Sequence, residues 1–509
     1  MNTETPAKES PPFWLLITLQ TGISAAGLVV EIVAARMIAP YVGMSLYTWT
    51  AIIAVVLAGF SLGHWWGGRL AALPTRTAMM RIGWVLAAAA VFTAGASLIL
   101  RLVALPVLQS VENPLTAISF IAIAAFFLPS LFAGVPAPVL AVVAMRGRQR
   151  SEEALGVMFA AGAMGAIVGT LLAGFLFISW LGSAATLQIM AAFYAVSALV
   201  VILCGRGGNA TRAGAAGTIA LTGLLAWHSL TAPPVCTVES SYFCIRSETL
   251  SADAEPLMRV MIIDHLAHGI SAKDHPGVMY TDHTAMLDAL PRMRMGHRPF
   301  SSFHIGGGTY SVPRGWASHG LTDMVVAEID PEVTKMATDA FWFEPATATV
   351  LHEDARHALL STEKEYDVIV GDAFTDIAVP AHLVTLEFFQ LVSQRLSGGG
   401  IFAMNVVDNV DRLAALSAVY KTLLAVFPSV EVWTKAQPPR PGERRVFVIL
   451  AGQSDSQVSE ITTGAPDPVT FAPLASAFLS ETVARTNAPL LTDDFAPVDR
   501  LMGLGSVLD

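Results

Sequence analysis

Cysteine is nearly absent from this chain of 509 residues, occurring only as Cys204, Cys236 and Cys244. They form no CxxC pair and no His/Cys cluster, which excludes the usual zinc scaffolds and leaves no metal to expect. Charge is scarce too. Charged residues make up 14% against 54% hydrophobic residues, too apolar a balance for an average soluble protein. The net charge of −10 excludes nucleic acid as a partner, because phosphate backbones are gripped by clustered Lys and Arg. The start, MNTETPAKESPP, lacks the basic segment and short apolar core of a cleaved signal peptide.

What is present changes sharply near residue 232. Before it, apolar runs lie near 13–39, 46–72, 82–105, 115–145, 153–179, 184–204 and 214–231. A bilayer crossing takes about 20 such residues, so residues 1–232 read as an all-α polytopic membrane bundle of about seven spans. The fourth run carries Pro129, Pro136 and Pro138 and is expected to be kinked or broken. Arg76 and Arg81 follow the second run, Arg146, Arg148 and Arg150 the fourth, and Arg206 and Arg212 the sixth. Loops 40–45 and 180–183 carry no Lys or Arg. The positive-inside rule makes the basic loops cytoplasmic. Seven spans then put the C-terminal half outside, in the periplasm of a bacterial inner-membrane protein. A miscount of one span gives the cytoplasmic alternative. Cys236 and Cys244 either form a disulfide there or remain two thiols flanking a strand.

Residues 233–300 form a linker or β-hairpin subdomain. Pro233 and Pro234 end the last span, and VCTVESSYFCIRSE and RVMIIDHLAHGIS read as extended segments around a polar turn. VMYTDHTAMLDALPRM follows as a helix. This stretch is dense in ionisable side chains, among them Asp264, His265, His268, Asp282 and His283, at spacings that match no metal-ligand motif.

Residues 301–509 alternate strand and helix. A buried strand (Phe303 to Ile305) meets the turn Gly306, Gly307, Gly308, and a second strand ends on Glu328 and Asp330. Glycines at such a turn let backbone approach a ligand, and an acid about 20 residues on accepts hydrogen bonds from ribose hydroxyls. Asp354 and Asp372 end two further strands, in HEDAR and YDVIVGD. Near-continuous apolar strands imply a mainly parallel sheet covered by helices, with ligands outside the strands' carboxyl ends.

The motifs HIGGG, EID, HEDAR, YDVIVGDAF and LSGGG resemble the spermidine synthase (polyamine aminopropyltransferase) family, and the whole chain looks like its membrane-fused branch. The resemblance implies a C-terminal α/β Rossmann-like methyltransferase/spermidine-synthase fold. It implies that Gly306, Gly307, Gly308, Glu328, Asp330, Asp354 and Ala355 hold the nucleoside. It makes Asp372 the catalytic acid and puts Asp264, His268, Tyr280 and Asp282 around the acceptor, while Asp376, four residues on in the loop, is a candidate second carboxylate or lid residue. The donor would be S-adenosylmethionine or its decarboxylated form, without a metal.

Some motifs depart from the family pattern. Its GGGDG turn reads GGGTY here, Asp376 is offset by one position and followed by Ile377, and its Tyr-x-Glu appears as Tyr280, Thr281, Asp282. The nucleoside residues are therefore better matched than the amine residues. The leading expectation is aminopropyl transfer to a polyamine with release of methylthioadenosine. The alternatives are a cyclotransferase or lyase that needs no amine, a methyltransferase, and a polyamine or nucleoside transporter with a sensing domain. The expected partners are the donor, an acceptor and the lipid bilayer, with a homo-oligomer left open.

Overall fold

The computed structural model describes residues 11–504 except 147, 205–208, 252–255, 297, 375–377 and 465. The chain divides into two compact units, Met1–Val235 and Cys236–Asp509.

The first unit is helical. Helices α1 (Phe13–Val42), α2 (Leu46–Ala71) and α3 (Thr75–Ser110) are followed by a broken rod of α4 (Pro114–Ala122), α5 (Leu128–Gly134) and α6 (Pro136–Met145). A π-helical turn at Ile123–Phe127 and the three prolines interrupt this rod, as its sequence predicts. Helices α7 (Ser151–Leu172) and α8 (Ile178–Cys204) join through a second π-helical turn, and α9 (Asn209–Thr231) closes the unit. Among the described residues, five helical stretches are long and apolar enough to cross a membrane: Phe13–Val42, Leu46–Ala71, Thr75–Ser110, Pro114–Met145 and Ser151–Cys204.

Two physical causes separate this number from the seven expected runs. The stretch Ser151–Cys204 is 54 residues long, far more than the roughly 20 that one crossing takes. It breaks at Gly182, whose φ of 75° and ψ of 168° are not helical. A Cβ on Gly165 would lie 2.1 Å from the Thr21 carbonyl oxygen, and one on Gly22 would lie 2.4 Å from the Phe193 ring. Residues 165 and 193 thus stand level with neighbouring positions of α1, so the chain doubles back between them. The last run, α9, is diluted by Arg212, His228 and several threonines.

The second unit holds two sheets. Strands β1 (Val238–Glu239), β2 (Cys244–Thr249), β3 (Met258–Ile263) and β4 (Leu266–Ala272) form an antiparallel sheet in that order. Next come α10 (Asp282–Met295), β5 (Ser302–Ile305), α11 (Ser311–Ser318), β6 (Met324–Ala327), α12 (Pro331–Ala340), β7 (Thr349–Leu351), α13 (Ala355–Leu360) and β8 (Tyr366–Gly371). They are followed by α14 (Leu386–Gln394), β9 (Leu396–Asn409), α15 (Ala414–Leu424), β10 (Ser429–Lys435), β11 (Arg444–Gly452), β12 (Ile461–Thr463), β13 (Val469–Pro473) and α16 (Ser476–Thr486).

The large sheet has the order β12-β13-β10-β11-β9-β8-β5-β6-β7. Strands β5 to β9 pair in parallel, as expected, whereas β10 to β13 add an antiparallel extension. The link between β10 and β11 explains this, because it is too short for the helical crossover that parallel neighbours need.

Alternate residues of each central strand serve opposite faces. Phe303, Ile369, Phe402 and Phe447 pack with Phe388, Phe389 and Leu416 of α14 and α15. Val368, Val370, Ala403 and Val448 pack with Leu287, Leu290 and Trp316 of α10 and α11. Each such side chain contributes about 1.5–3 kcal/mol on full burial, and the sheet between the two cores is the rigid base of the site.

Candidate active site

Five strand ends are set level by the sheet register. Ile305, Ala327, Leu351, Gly371 and Met404 are neighbours across β5 to β9. One residue further along lie Gly306, Glu328, His352, Asp372 and Asn405, so the chemistry-bearing residues share one row at the carboxyl edge.

The turn after β5 brings the backbone close to that row. Gly306 has φ of 90°, and a Cβ there would sit 2.8 Å from the Asp372 carbonyl oxygen. Only glycine fits both conditions. A Cβ on Gly307 would meet the Tyr310 ring at 2.3 Å, so Tyr310 fills the space beneath the turn. The Gly307 N–H donates to Glu328 Oε2 at 2.8 Å and the Asp330 N–H to Oε1 at 3.0 Å. Glu328 is buried, which raises its carboxyl above the usual range, while these two N–H groups hold it down.

Asp372 stands across the turn. Its Oδ1 accepts from Asn405 Nδ2 at 2.9 Å, and its Oδ2 lies 4.0 Å from His283 Nε2. Burial raises its carboxyl above the ordinary range, against the lowering effects of His283 and Asn405. The side chain retains 26% exposure, so a substrate can still reach it. His268 on β4 completes this side, and its backbone carbonyl passes 3.9 Å from a Cβ built on Gly308. Burial, His283 and His265 push its imidazole down to about 4, so it is neutral near pH 7.

Asp354 caps α13, accepting from the His357 N–H at 3.1 Å, and its Oδ2 meets His382 Nε2 at 2.7 Å. Burial raises its carboxyl, but the His382 and His357 hydrogen bonds outweigh that and leave it below the usual range. Ala355 follows as the first residue of α13 and is buried.

Other nominated residues also engage neighbours in the fold. Asp330 caps α12 through the Glu332 N–H and binds the Ser240 hydroxyl. Asp264 sits in the β3–β4 turn with φ of 52°, and its Oδ1 accepts from the Cys244 N–H at 2.9 Å. Asp282 pairs with Lys435 at 2.8 Å. Tyr280 is half-buried beside Arg314, with burial raising its phenol and Arg314 lowering it. Asp376 lies outside the described residues. The structure thus gathers Gly306–Gly308, Glu328, Asp372 and His268 around one turn and turns Asp330, Asp264 and Asp282 to other partners.

Sequence reasoning missed His283, Asn405 and His382 as site residues. Asn405 had a signal, a polar residue inside the apolar strand IFAMNVV. It is 3% exposed, and its Oδ1 has no partner among the described residues.

The model of the spermine/spermidine synthase domain matches residues 291–459. A polyamine aminopropyltransferase of Vibrio vulnificus is 31% identical over 209 residues, covering 39% of this chain and 67% of that protein. The chain belongs to the spermine/spermidine synthase family. A probable polyamine aminopropyl transferase of Bifidobacterium longum is 29% identical over 215 residues, 39% of this chain and 47% of that protein. The chain therefore spans between about half and two thirds of these two curated relatives. The crystal structure of a probable spermidine synthase from Corynebacterium glutamicum aligns with TM-score 0.44 at 18% identity, covering 52% of this chain and 99% of that one. Within the family match fall Glu328, Asp354, Asp372 and Asn405, whereas His268, Tyr280, Asp282 and His283 precede it.

Proposed function

We propose that Cys236–Asp509 is the catalytic unit of a membrane-anchored aminopropyltransferase. It cleaves an S-adenosylmethionine-type sulfonium, decarboxylated or intact, and releases 5'-methylthioadenosine, most directly by aminopropyl transfer to a polyamine. The observation that carries this reading is the shared row of Glu328 and Asp372, one on each side of the glycine turn. Glu328, fixed by two backbone N–H groups, would take the ribose hydroxyls, and the Asp354–Ala355 corner would face the adenine. A sulfonium is already activated, since its leaving group departs as a neutral thioether. The protein's work is to align the nucleophile, exclude water and accept the amine proton at Asp372 Oδ2.

One observation favours the acceptor-free reading as a second choice. Asp264 and Asp282, the acids expected near a polyamine, are engaged with Cys244 and Lys435. In that reaction the donor's own carboxylate attacks the carbon beside sulfur, closing a lactone and releasing the same methylthioadenosine.

The helical unit would cross a bacterial inner membrane seven times. In support, Arg146 donates to the Leu73 carbonyl at 2.9 Å and Arg148 lies 3.7 Å over the Phe13 ring, which brings the loops after the second and fourth runs and the start of α1 together at one end. The disulfide Cys236–Cys244 fits an oxidising compartment for the catalytic unit. The test is to incubate the full-length protein with each donor, with and without polyamines, and to analyse products. Acceptor-dependent methylthioadenosine supports transfer, and acceptor-free release supports cyclisation. Adenosylhomocysteine would indicate a methyltransferase, and bound donor without turnover a sensing domain.

A further inference from the structure

We propose that His283 is the proton-accepting partner of Asp372, acting through it. This rests on the transfer reading, in which the nucleophile is an amine that must lose a proton. Asn405 takes Asp372 Oδ1 at 2.9 Å, and Asn405 is itself anchored inside the sheet. The acid is thereby fixed with Oδ2 as the oxygen left for chemistry. His283 Nε2 is 4.0 Å from that oxygen, with 14% of its side chain exposed. Such contacts are commonly long without substrate and shorten in the reacting complex.

The surroundings single out His283. It is the second residue of α10, directly after Asp282, whose carboxylate is paired with Lys435 at 2.8 Å. Thr281 Oγ1, one residue before α10, lies 3.5 Å from its Nε2. His268 on β4 and His265 in the turn before it are further titratable groups near this cluster, beside Asp282 and Lys435. Asp372 is the carboxylate facing it from the sheet.

The step balances as follows. The amine lone pair forms a C–N bond to the carbon beside sulfur, and the C–S bond breaks with its electron pair going to sulfur. The ammonium proton of the product passes to Asp372 Oδ2, then to His283 Nε2, and leaves to water. Asp372 is thus returned to its ionised form for the next turnover. A carboxylate nucleophile releases no proton and would have no use for His283.

The test uses full-length protein in detergent, following methylthioadenosine release at saturating donor with a polyamine acceptor. His283→Ala should lower kcat by about 10²–10⁴-fold, leave donor KM within about threefold, and recover at least about tenfold on adding imidazole. His283→Gln should fall similarly without imidazole recovery, since its side chain occupies the vacated space. Methylthioadenosine binding, measured separately, should be unchanged in both. For His283→Ala, a kcat within about threefold of the parent, or a fall that imidazole does not reverse while methylthioadenosine binding persists, overturns the proposal. If the parent protein turns over the donor only without an amine, the transfer reading fails and this proposal with it. If the parent transfers and the variants do not respond as stated, the proposal alone fails.

Discussion

Replacing Glu328 by Gln tests the nucleoside half of the site with little change in shape. In the parent, each carboxylate oxygen accepts one backbone N–H, from Gly307 at 2.8 Å and Asp330 at 3.0 Å, and keeps a lone pair for a ribose hydroxyl. Hydrogen bonds to a charged group contribute about 1.5–3 kcal/mol and neutral ones about 0.5–1.5. Two hydroxyls moved from the first class to the second lose about 2–3 kcal/mol, or about 30- to 150-fold in affinity. The substitution also points an amide N–H₂ at a backbone N–H, which costs about 1–3 kcal/mol for the unpaired donor. That cost is offset by relief of a carboxylate whose burial raises its pKa, so the fold should change little. Calorimetric titration of methylthioadenosine into the full-length protein reads the affinity, and a thermal melt checks the fold. A loss below about threefold with an unchanged melt would refute the assignment of Glu328 to the ribose.

Asp372→Asn should reduce turnover by about 10²–10⁴-fold while donor affinity stays within about threefold, and retained activity would mean that another acid takes the proton. Both Glu328 and Asp372 have carboxyls raised by burial, so the folded state binds protons before the unfolded chain does. Stability should therefore rise as pH falls through their folded values toward about 4, while turnover falls because Asp372 must be ionised; a thermal melt and a rate profile that move together would contradict this. Cutting the Cys236–Cys244 bond, which closes a loop of sequence separation 8, by Cys236→Ser with Cys244→Ser should cost about 2–3 kcal/mol of stability. In the parent, maleimide labelling should reach Cys204 alone before reduction and all three cysteines after it.

The parallel half of the sheet could be read from the sequence because each strand is an apolar run ended by a turn signal. Register then converts legible strand ends into a shared row, and Glu328 and Asp372 follow from it. The antiparallel extension was less visible, since VEVWTK and RRVFVILAG carry no mark of direction. Their pairing is decided by the length of the intervening loop. The partners of the amine-side acids were not legible. The family resemblance nominates Asp264 and Asp282 for the acceptor side, and the fold shows Asp264 taking the Cys244 N–H and Asp282 paired with Lys435. Sequence gives which ionisable residues are available, whereas only the fold gives which are already engaged. Asn405 and His283 were missed for the converse reason, because each gains its role from Asp372 on a different element.

The residues that depart from the family's glycine turn, Thr309 and Tyr310, are both buried. Tyr310 takes the left-handed conformation, φ of 54°, at a position where the family has glycine. Such strain costs about 1–3 kcal/mol. It is offset by burying the ring, which stacks on Phe343 with centroids 4.0 Å apart and bonds through its hydroxyl to Thr334 at 2.7 Å. Packing thus holds Tyr310 in a conformation that glycine would adopt freely. Thr309, standing where the family has an acid, is buried instead, bonded to the Ser311 hydroxyl at 2.7 Å, which in turn meets Ser271 of β4 at 3.0 Å. A Cβ on Gly269 would fall 2.4 Å from the Thr309 hydroxyl, so the two segments are in direct contact. The Thr309 side chain joins the turn to the hairpin. Both departures in the turn are thus taken up by packing, Tyr310 against Phe343 and Thr309 against the hairpin, while the Gly307 N–H donates to Glu328.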